Sequence, residues 1–517
     1  MPKSSYLRAL SRRGFLAGIP ALAVAIGVRP AESKGIRLKE PIGPAGDYTA
    51  LSAVEAVARM RAGELSAERY AGALLARCKA GESLNAFITL EPARVLEAAR
   101  AADRRRAMGA HLGLLHGLPV PIKDSLNTRD YQTTGGTPAL RGFTPTSDAP
   151  IVATLRAAGA IVLGKTNLHE LSFGWTSNNL AFGAVRNPHD PARSPGGSSG
   201  GTAAAIAAHM APLGLAEDTE GSIRVPAALC GIAGFRPTTG RYSSAGAAPI
   251  TPLFDQVGPH ARTVGDLALF DAIATGDHRP LAARSLAGVR LAVSRAYWFE
   301  GLDPEVERVT AEALSALVAA GAELVEADVP GLAALIALVT AQIQNHDVRL
   351  ELPKYLRASG ATVQFEDVIA QASSDIRRIF ARYVLPGGAD FVTEAVYRAA
   401  VDVHLPRLRA ELGRCYARTG AAALVFPATM VTAPPIGAGD TLDVRGQPVP
   451  FARAIARNIS PGSTAGLPGL VLPAGLATNG LPVALEFDAP PGSDRALLAL
   501  GVALEGVFGP VPRPRGW

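Results

Sequence analysis

The chain of 517 residues is 48% hydrophobic and 19% charged, a composition typical of a globular protein with a large core. Its formal net charge is +6, but residues 1–34 carry a net +5 and leave only +1 for the rest of the chain. A nearly neutral body excludes the basic surface that a nucleic-acid partner would require.

Residues 1–34 predict an export signal of the twin-arginine type. Arg12 and Arg13 precede a Phe-Leu pair and an apolar stretch over 17–28. This stretch is shorter than the about 20 residues of a membrane span, but it fits the h-region of a signal peptide. Arg29 lies two residues before Ala31, at the position where an Ala-x-Ala cleavage site requires a small residue. We therefore predict a periplasmic protein that the twin-arginine machinery exports folded, with the signal either cut elsewhere or kept as a membrane tether.

The remaining residues, 35–517, predict one large domain, because neither a repeat nor a linker divides them. Helical periodicity and capping residues alternate with short apolar runs bounded by Gly and Pro. The predicted elements in chain order are a helical hairpin over 51–80, a helix over 91–108, a helix over 151–158, a strand over 160–163, a helix over 202–209, a strand over 212–216, a helix over 303–320 and a mostly helical region over 340–415. This alternation favours an α/β fold with a central sheet covered by helices.

Two familiar patterns do not fit their sequence context. Residues 159–166 match the phosphate-loop pattern G-x-x-x-x-G-K-[ST], but the middle four are Ala-Ile-Val-Leu, which predicts a buried strand rather than a loop of free N–H groups. Residues 196–200 match G-x-S-x-G, but the ten residues before them contain three prolines and cannot form the strand that a nucleophile elbow needs. Histidines follow downstream, so a Ser-His-Asp esterase stays an alternative.

Cysteine and histidine spacings indicate neither a disulfide framework nor a metal site. The three cysteines are an odd number, widely spaced and without a Cys-x-x-Cys motif. His169 and Glu170 are not followed by a second histidine at the zinc-protease position. We predict no metal and no cofactor.

Three segments contain the residue types of a nucleophilic hydrolase. Lys123 ends the run 117–123, Ser198 lies in the glycine-serine run 196–201, and Ser222 precedes an Ile-Arg pair. Only seven of the 51 basic residues are lysine, so a lysine at position 123 suggests that an amine is needed there. Burial can deprotonate a lysine amine, whereas an arginine stays protonated. A serine hydroxyl is a weak nucleophile until a base takes its proton, and full burial lowers a lysine pKa by roughly 3–5.

These segments, in this order and at these spacings, resemble the amidase signature family of serine hydrolases. The similarity covers most of residues 50–500 and is densest from 114 to 264. It implies a single α/β/α domain with a central mixed sheet. It also implies that Ser222 is the nucleophile, Lys123 the base and Ser198 the proton relay, with a cis peptide bond before Ser198.

The same resemblance assigns further residues around the nucleophile. The backbone N–H groups of Thr219, Glu220, Gly221 and Ser222 would form the oxyanion hole. The supporting hydrogen-bonding residues would be Ser199, Asp218 and Arg224. Many members have glycine where this chain has Glu220, so this residue is expected to affect the loop geometry and to place a charge at the pocket rim.

Two stretches, 227–242 and 460–469, are similar to the indoleacetamide and mandelamide hydrolases of that family. The expected reaction is hydrolysis of a small, aryl-substituted primary amide to a carboxylate and ammonia. The alternatives are an amidase for substituted amides or peptides, the Ser-His-Asp esterase, and a catalytically silent amidase-fold binding protein. A small-molecule amide is the expected partner, with no nucleic acid, and a homodimer is left open.

Overall fold

A computed structural model of the protein describes residues 46–282 and 284–517. The predicted export signal over 1–34 lies outside the described residues, so export and periplasmic location stay predictions.

The helices begin and end where local sequence signals place them. Ser52 caps the first helix by accepting a hydrogen bond from the Glu55 N–H, the Glu55 side chain accepts one from the Ser52 N–H, and Gly63 ends that helix with φ of 80°. The helices are α1 Ala53–Ala62, α2 Ala67–Ala80, α3 Pro92–Ala107, α4 Pro150–Ala157, α5 Gly200–Ala207, α6 Arg224–Cys230, α7 Val264–Thr275, α8 Arg295–Trp298, α9 Pro304–Ala319, α10 Leu332–Ser359, α11 Phe365–Gln371, α12 Ser374–Ile379, α13 Glu394–Ala399, α14 Leu405–Thr419, α15 Phe451–Ala456, α16 Ser460–Ala465 and α17 Asp494–Phe508. The predicted hairpin and the other predicted helices are confirmed.

The strands are β1 Phe87–Leu90, β2 Pro119–Lys123, β3 Ile161–Thr166, β4 Asn178–Asn179, β5 Gly183–Ala184, β6 Leu213–Asp218, β7 Ala233–Arg236, β8 Gln256–Ala261, β9 Arg290–Val293, β10 Glu323–Glu326, β11 Ala423–Pro427, β12 Thr441–Val444, β13 Gln447–Pro450, β14 Gly469–Leu476 and β15 Pro482–Asp488. Eleven of them form one sheet in the order β1-β3-β2-β6-β8-β7-β14-β15-β11-β9-β10. Parallel pairs such as β2–β3 and antiparallel pairs such as β6–β8 share it. The predicted mixed sheet flanked by helices is therefore confirmed.

The phosphate-loop pattern lies in a strand, as the sequence predicts. Strand β3 is buried along its whole length and pairs with β1 and β2. The Lys165 Nζ donates to the carbonyl oxygens of Leu126 and Gln132 and lies 3.0 Å from Asp124 Oδ1. This lysine holds protein groups together and is not part of an anion cradle.

The sheet order brings the candidate segments together. Strands β2 and β6 are parallel neighbours, so their carboxyl ends, Lys123 and Asp218, meet at one edge of the sheet. Helix α5 begins directly after Ser198-Ser199 and packs against both strands. A smaller apolar cluster, formed by α10, α11 and α12 with Leu171 and Ala248, lies beside this region. None of the described helices is long and apolar enough to cross a membrane.

Candidate active site

Lys123 is fully buried at the end of β2 and contacts two polar side chains. Its Nζ lies 2.7 Å from Ser198 Oγ and 3.0 Å from Glu217 Oε2. Burial lowers the pKa of Lys123, and the neighbouring Glu217 carboxylate opposes that shift. The structure thus brings together the predicted lysine and the first predicted serine.

The glycine-serine run around Ser198 is packed inside the protein. The Gly197–Ser198 peptide bond is cis, as the resemblance implies. The Ser198 carbonyl oxygen accepts hydrogen bonds from the His169 N–H at 3.0 Å and the Ser177 hydroxyl at 3.1 Å. A Cβ on Gly197 would lie 2.8–2.9 Å from the backbone of residues 175–177, so only glycine fits there. This segment is therefore a fixed structural element and not a surface loop.

Ser199 connects the Ser198 segment to the segment of Ser222. Its N–H donates to the Ser222 carbonyl oxygen at 3.3 Å, and its hydroxyl donates to the Glu217 carbonyl oxygen at 3.0 Å. Ser199 therefore links the two serine segments, and its supporting role stays a prediction. Ser222 lies between the end of β6 and the start of α6, with 4% of its surface exposed.

Asp218 organises the turn that carries Ser222. Its carboxylate accepts hydrogen bonds from the N–H groups of Gly221 at 2.8 Å and Ile223 at 3.0 Å. The same carboxylate pairs with Arg224 at 3.1 Å and Arg236 at 3.1 Å. All three charged side chains are completely buried, and the arginines hold the pKa of Asp218 well below its ordinary value despite that burial.

Gly221 differs from its predicted role in the oxyanion hole. Because its N–H already donates to Asp218, it is not free to bind a second acceptor. Among the described residues, the N–H groups of Thr219, Glu220 and Ser222 have no protein acceptor. Those three groups, rather than all four, are available to an oxyanion.

Glu220 does not strain the loop, because the left-handed conformation falls on Gly221, whose φ is 98°. The Glu220 carboxylate accepts hydrogen bonds from Ser460 on α16 and from Gln344 on α10, the latter at 2.9 Å. Its carbonyl oxygen accepts one from the Trp175 indole at 2.9 Å. Burial raises the pKa of Glu220. Glu220 therefore joins the loop of Ser222 to two neighbouring helices.

The structure adds polar residues that the sequence analysis missed. Glu217 accepts hydrogen bonds from Lys123, Ser125 and Ser172, and Arg236 contacts Asp218. A signal existed for Glu217, because it and Asp218 are the two charged residues at the end of an otherwise apolar strand. Ser172 gave none, since a single serine in a turn is ordinary.

The residues that the structure describes do not assemble the alternative Ser-His-Asp site. His260 Nε2 lies 2.7 Å from the Ile223 carbonyl oxygen, and burial lowers the pKa of this histidine to about 4. His346 contacts Asp347 and Glu394. No histidine side chain in the described part of the chain hydrogen-bonds to Ser198 or Ser222.

A buried amine beside a serine, next to a second serine in a loop with free N–H groups, can support acyl transfer through an activated hydroxyl. Within residues 46–282 and 284–517, no cluster of three or more His, Cys, Asp or Glu is arranged to hold a metal ion. The fold is thus a mixed α/β scaffold that brings a buried lysine–serine pair close to the segment of a second serine, an arrangement suited to a hydrolase.

Comparison with known proteins identifies the family. Residues 70–498 match the family model described as Amidase, so the chain belongs to the amidase family. It is 36% identical over 455 residues to the indoleacetamide hydrolase of Agrobacterium vitis, covering 88% of this chain and 96% of that protein. It is 36% identical over 482 residues to the mandelamide hydrolase of Pseudomonas putida, covering 90% and 92%. The structure of the peptide amidase from Stenotrophomonas maltophilia superposes with a TM-score of 0.76 at 29% identity, covering 90% of this chain and 99% of that one.

Proposed function

We propose that this amidase hydrolyses a small, aryl-substituted primary carboxamide to a carboxylate and ammonia through an acyl-enzyme on Ser222. The observation that carries the proposal is the 2.7 Å contact between the buried Lys123 amine and Ser198, beside the loop of Ser222. The similarity to indoleacetamide and mandelamide hydrolases over almost the whole chain supports the aryl-substituted primary amide as substrate.

Acylation begins with attack of Ser222 Oγ on the amide carbonyl carbon. The Ser222 proton passes to Ser198 Oγ, and the Ser198 proton passes to the neutral Nζ of Lys123. The negative charge moves to the carbonyl oxygen, where the N–H groups of Thr219, Glu220 and Ser222 stabilise it. Each such donor contributes about 10²–10³ in rate.

Collapse of the tetrahedral intermediate breaks the C–N bond. The proton held by Lys123 returns through Ser198 to the leaving nitrogen, which departs as ammonia and leaves an ester on Ser222. Water then attacks this ester, and one of its protons passes to Ser198 Oγ as the Ser198 proton passes to Lys123. The bond between the acyl carbon and Ser222 Oγ breaks, the proton returns through Ser198 to Ser222, and the product acid loses its own proton to solvent to become the carboxylate.

The surroundings of the oxyanion loop support an aromatic substrate. The half-buried Trp175 indole donates to the Glu220 carbonyl oxygen, which places an aromatic ring beside the loop. Ser460, which contacts the other side of Glu220, lies in the stretch 460–469 that is similar to the aryl-amide hydrolases. The alternative of a substituted amide or peptide has support from the similarity to the peptide amidase.

The test is ammonia release from indole-3-acetamide, phenylacetamide, mandelamide, short aliphatic amides and a peptide amide. The Ser222→Ala variant should lose all turnover, whereas Ser315→Ala, which changes an exposed serine on α9, should keep it. Turnover by Ser222→Ala equal to wild type would refute the acyl-enzyme. A folded wild-type protein that releases ammonia from none of these amides would favour the silent binding protein.

We further propose export by the twin-arginine machinery, which rests on Arg12, Arg13 and the apolar stretch over 17–28. Replacing both arginines by lysine should retain the full-length protein in the cytoplasm. Fractionation of cells that express the two forms measures this. Equal periplasmic amounts of both would contradict the proposal.

A further inference from the structure

Glu217 is a buried carboxylate on which three segments of the chain converge. Only 1% of its side chain is exposed. Its Oε2 lies 3.0 Å from each of three donors, the Lys123 amine and the hydroxyls of Ser125 and Ser172. Its other oxygen, Oε1, has no partner among the described residues. Such a carboxylate is costly to bury, so its position beside the base needs an explanation.

The backbone around Ser172 is held in an uncommon conformation that serves this contact. Leu171 and Ser172 are consecutive non-glycine residues with φ of 53° and 60°. Left-handed conformations are unfavourable for such residues and persist where the surrounding structure enforces them. Here the turn directs the Ser172 hydroxyl to Glu217, and the Leu171 N–H donates to the Gly135 carbonyl oxygen at 2.7 Å.

The second buried lysine shows what a purely structural ammonium requires. Lys165 Nζ donates to three acceptors, the carbonyl oxygens of Leu126 and Gln132 and the Thr133 hydroxyl, which is one more than the two N–H groups of a neutral amine can serve. It also lies 3.0 Å from Asp124 Oδ1, so its surroundings favour the protonated form. Among the described residues, the Nζ of Lys123 has only Glu217 and Ser198 as hydrogen-bond partners. A neutral Lys123 can donate one N–H to Glu217 and accept the Ser198 hydroxyl proton with its lone pair.

We propose that Glu217 is a positioning residue that turns the lone pair of Lys123 toward Ser198 and stabilises the ammonium that forms when the proton arrives. This inference rests on the proposed function, because it assumes that Lys123 is the base. Burial alone would make an amine a poor proton acceptor, and an adjacent carboxylate restores its basicity.

Other charged groups face the same amine. The pKa of Lys123 is lowered by burial and raised most strongly by Glu217, then by Asp218 and Asp255. Asp218 is already neutralised by arginines, and His260 on β8, with its pKa lowered to about 4, is uncharged near neutrality. Asp255 needs separate control, because burial and then Glu217 raise its pKa to about 7.

The experiment measures kcat/KM against pH with the amide that wild type hydrolyses best. Glu217→Gln keeps an acceptor oxygen but removes the negative charge, so the pKa of Lys123 should fall. Because neutral Lys123 is the active form, the acid limb of the profile should move about 1–3 pH units lower, with a reduced plateau. Glu505→Gln is the matched control, since Glu505 is a half-buried acceptor for the Val264 N–H, outside the site, and should leave the limb in place.

An unmoved acid limb in folded Glu217→Gln, with only a uniform loss of rate, would overturn the inference. The inference would also be overturned if the acid limb of the pH profile moved in Asp255→Asn but not in Glu217→Gln. If Glu217→Gln does not fold, Glu217→Asp serves the same test, because its retracted carboxylate should move the limb less far in the same direction. Persistent turnover in Ser222→Ala would instead refute the proposed function, so the two failures are distinguishable.

Discussion

Asp218 provides a direct test of how the nucleophile loop is held. Its carboxylate is the common acceptor for the N–H groups of Gly221 and Ile223 and for two buried arginines, Arg224 and Arg236. Asp218→Asn preserves the shape of this side chain but removes its charge and one of its two acceptor oxygens. One of the two loop N–H groups then loses its acceptor.

The structure sets the expected magnitude of the change. Breaking a buried ion pair by removing one partner costs about 3–5 kcal/mol. Arg224 retains Glu486 as a partner, and Arg236 retains its hydrogen bonds to the carbonyl oxygens of Asp218 and Phe254, so we expect the lower end, about 3 kcal/mol of the free energy of unfolding. This loss leaves the protein folded if its total stability is ordinary, about 5–15 kcal/mol. When the N–H of Gly221 or Ile223 loses its acceptor, the loop between them can shift and displace an oxyanion donor such as the Ser222 N–H. Such a displacement should lower kcat by at least about 10²-fold.

The assay combines chemical denaturation with steady-state ammonia release. Asp271→Asn is the matched control, because Asp271 is equally buried and pairs with Arg241 at 2.8 Å, but on α7 and outside the site. The control should lose stability and keep the kcat of the folded enzyme. The reasoning would be refuted if folded Asp218→Asn had a kcat within a few fold of wild type. It would also be refuted if kcat fell equally in Asp218→Asn and Asp271→Asn.

Two further predictions follow from packing and from titration. Gly197→Ala should abolish activity and lower the yield of folded protein, because the alanine Cβ would lie 2.8–2.9 Å from the backbone of residues 175–177. Circular dichroism measures the folding and ammonia release measures the activity. A fully active variant would contradict this prediction. Burial raises the pKa of Glu505 to about 7, above an ordinary value of about 4.3, so folding binds its proton more tightly and wild-type stability falls as pH rises from about 4 through 7. Glu505→Gln has no carboxyl group to lose a proton, so in urea denaturation its free energy of unfolding should rise relative to that of wild type between pH 5 and pH 8. A difference in the free energy of unfolding that stays constant over this pH range would contradict the prediction.

The sequence by itself predicted most of the longer helices, two of the buried strands and, through the family resemblance, the segments that carry the candidate site residues. Capping residues such as Ser52 and apolar periodicities are local, so these helices and the two strands followed from short windows of sequence. The segments of Lys123, Ser198 and Ser222 were recognisable because each needs special residue types, an amine or a serine among glycines. The mixed sheet came from the resemblance carried by these segments.

Only the tertiary structure decided which groups meet at the site. Glu217 contacts Ser125 and Ser172, which are 92 and 45 positions away in the chain, and neither serine has a local signature. The engagement of Gly221 by Asp218 likewise depends on the turn adopted after β6. The pairing of β7 with β14 joins residues more than 200 positions apart. Such contacts depend on how strands order and helices pack, and this long-range arrangement leaves no periodic trace in a single sequence.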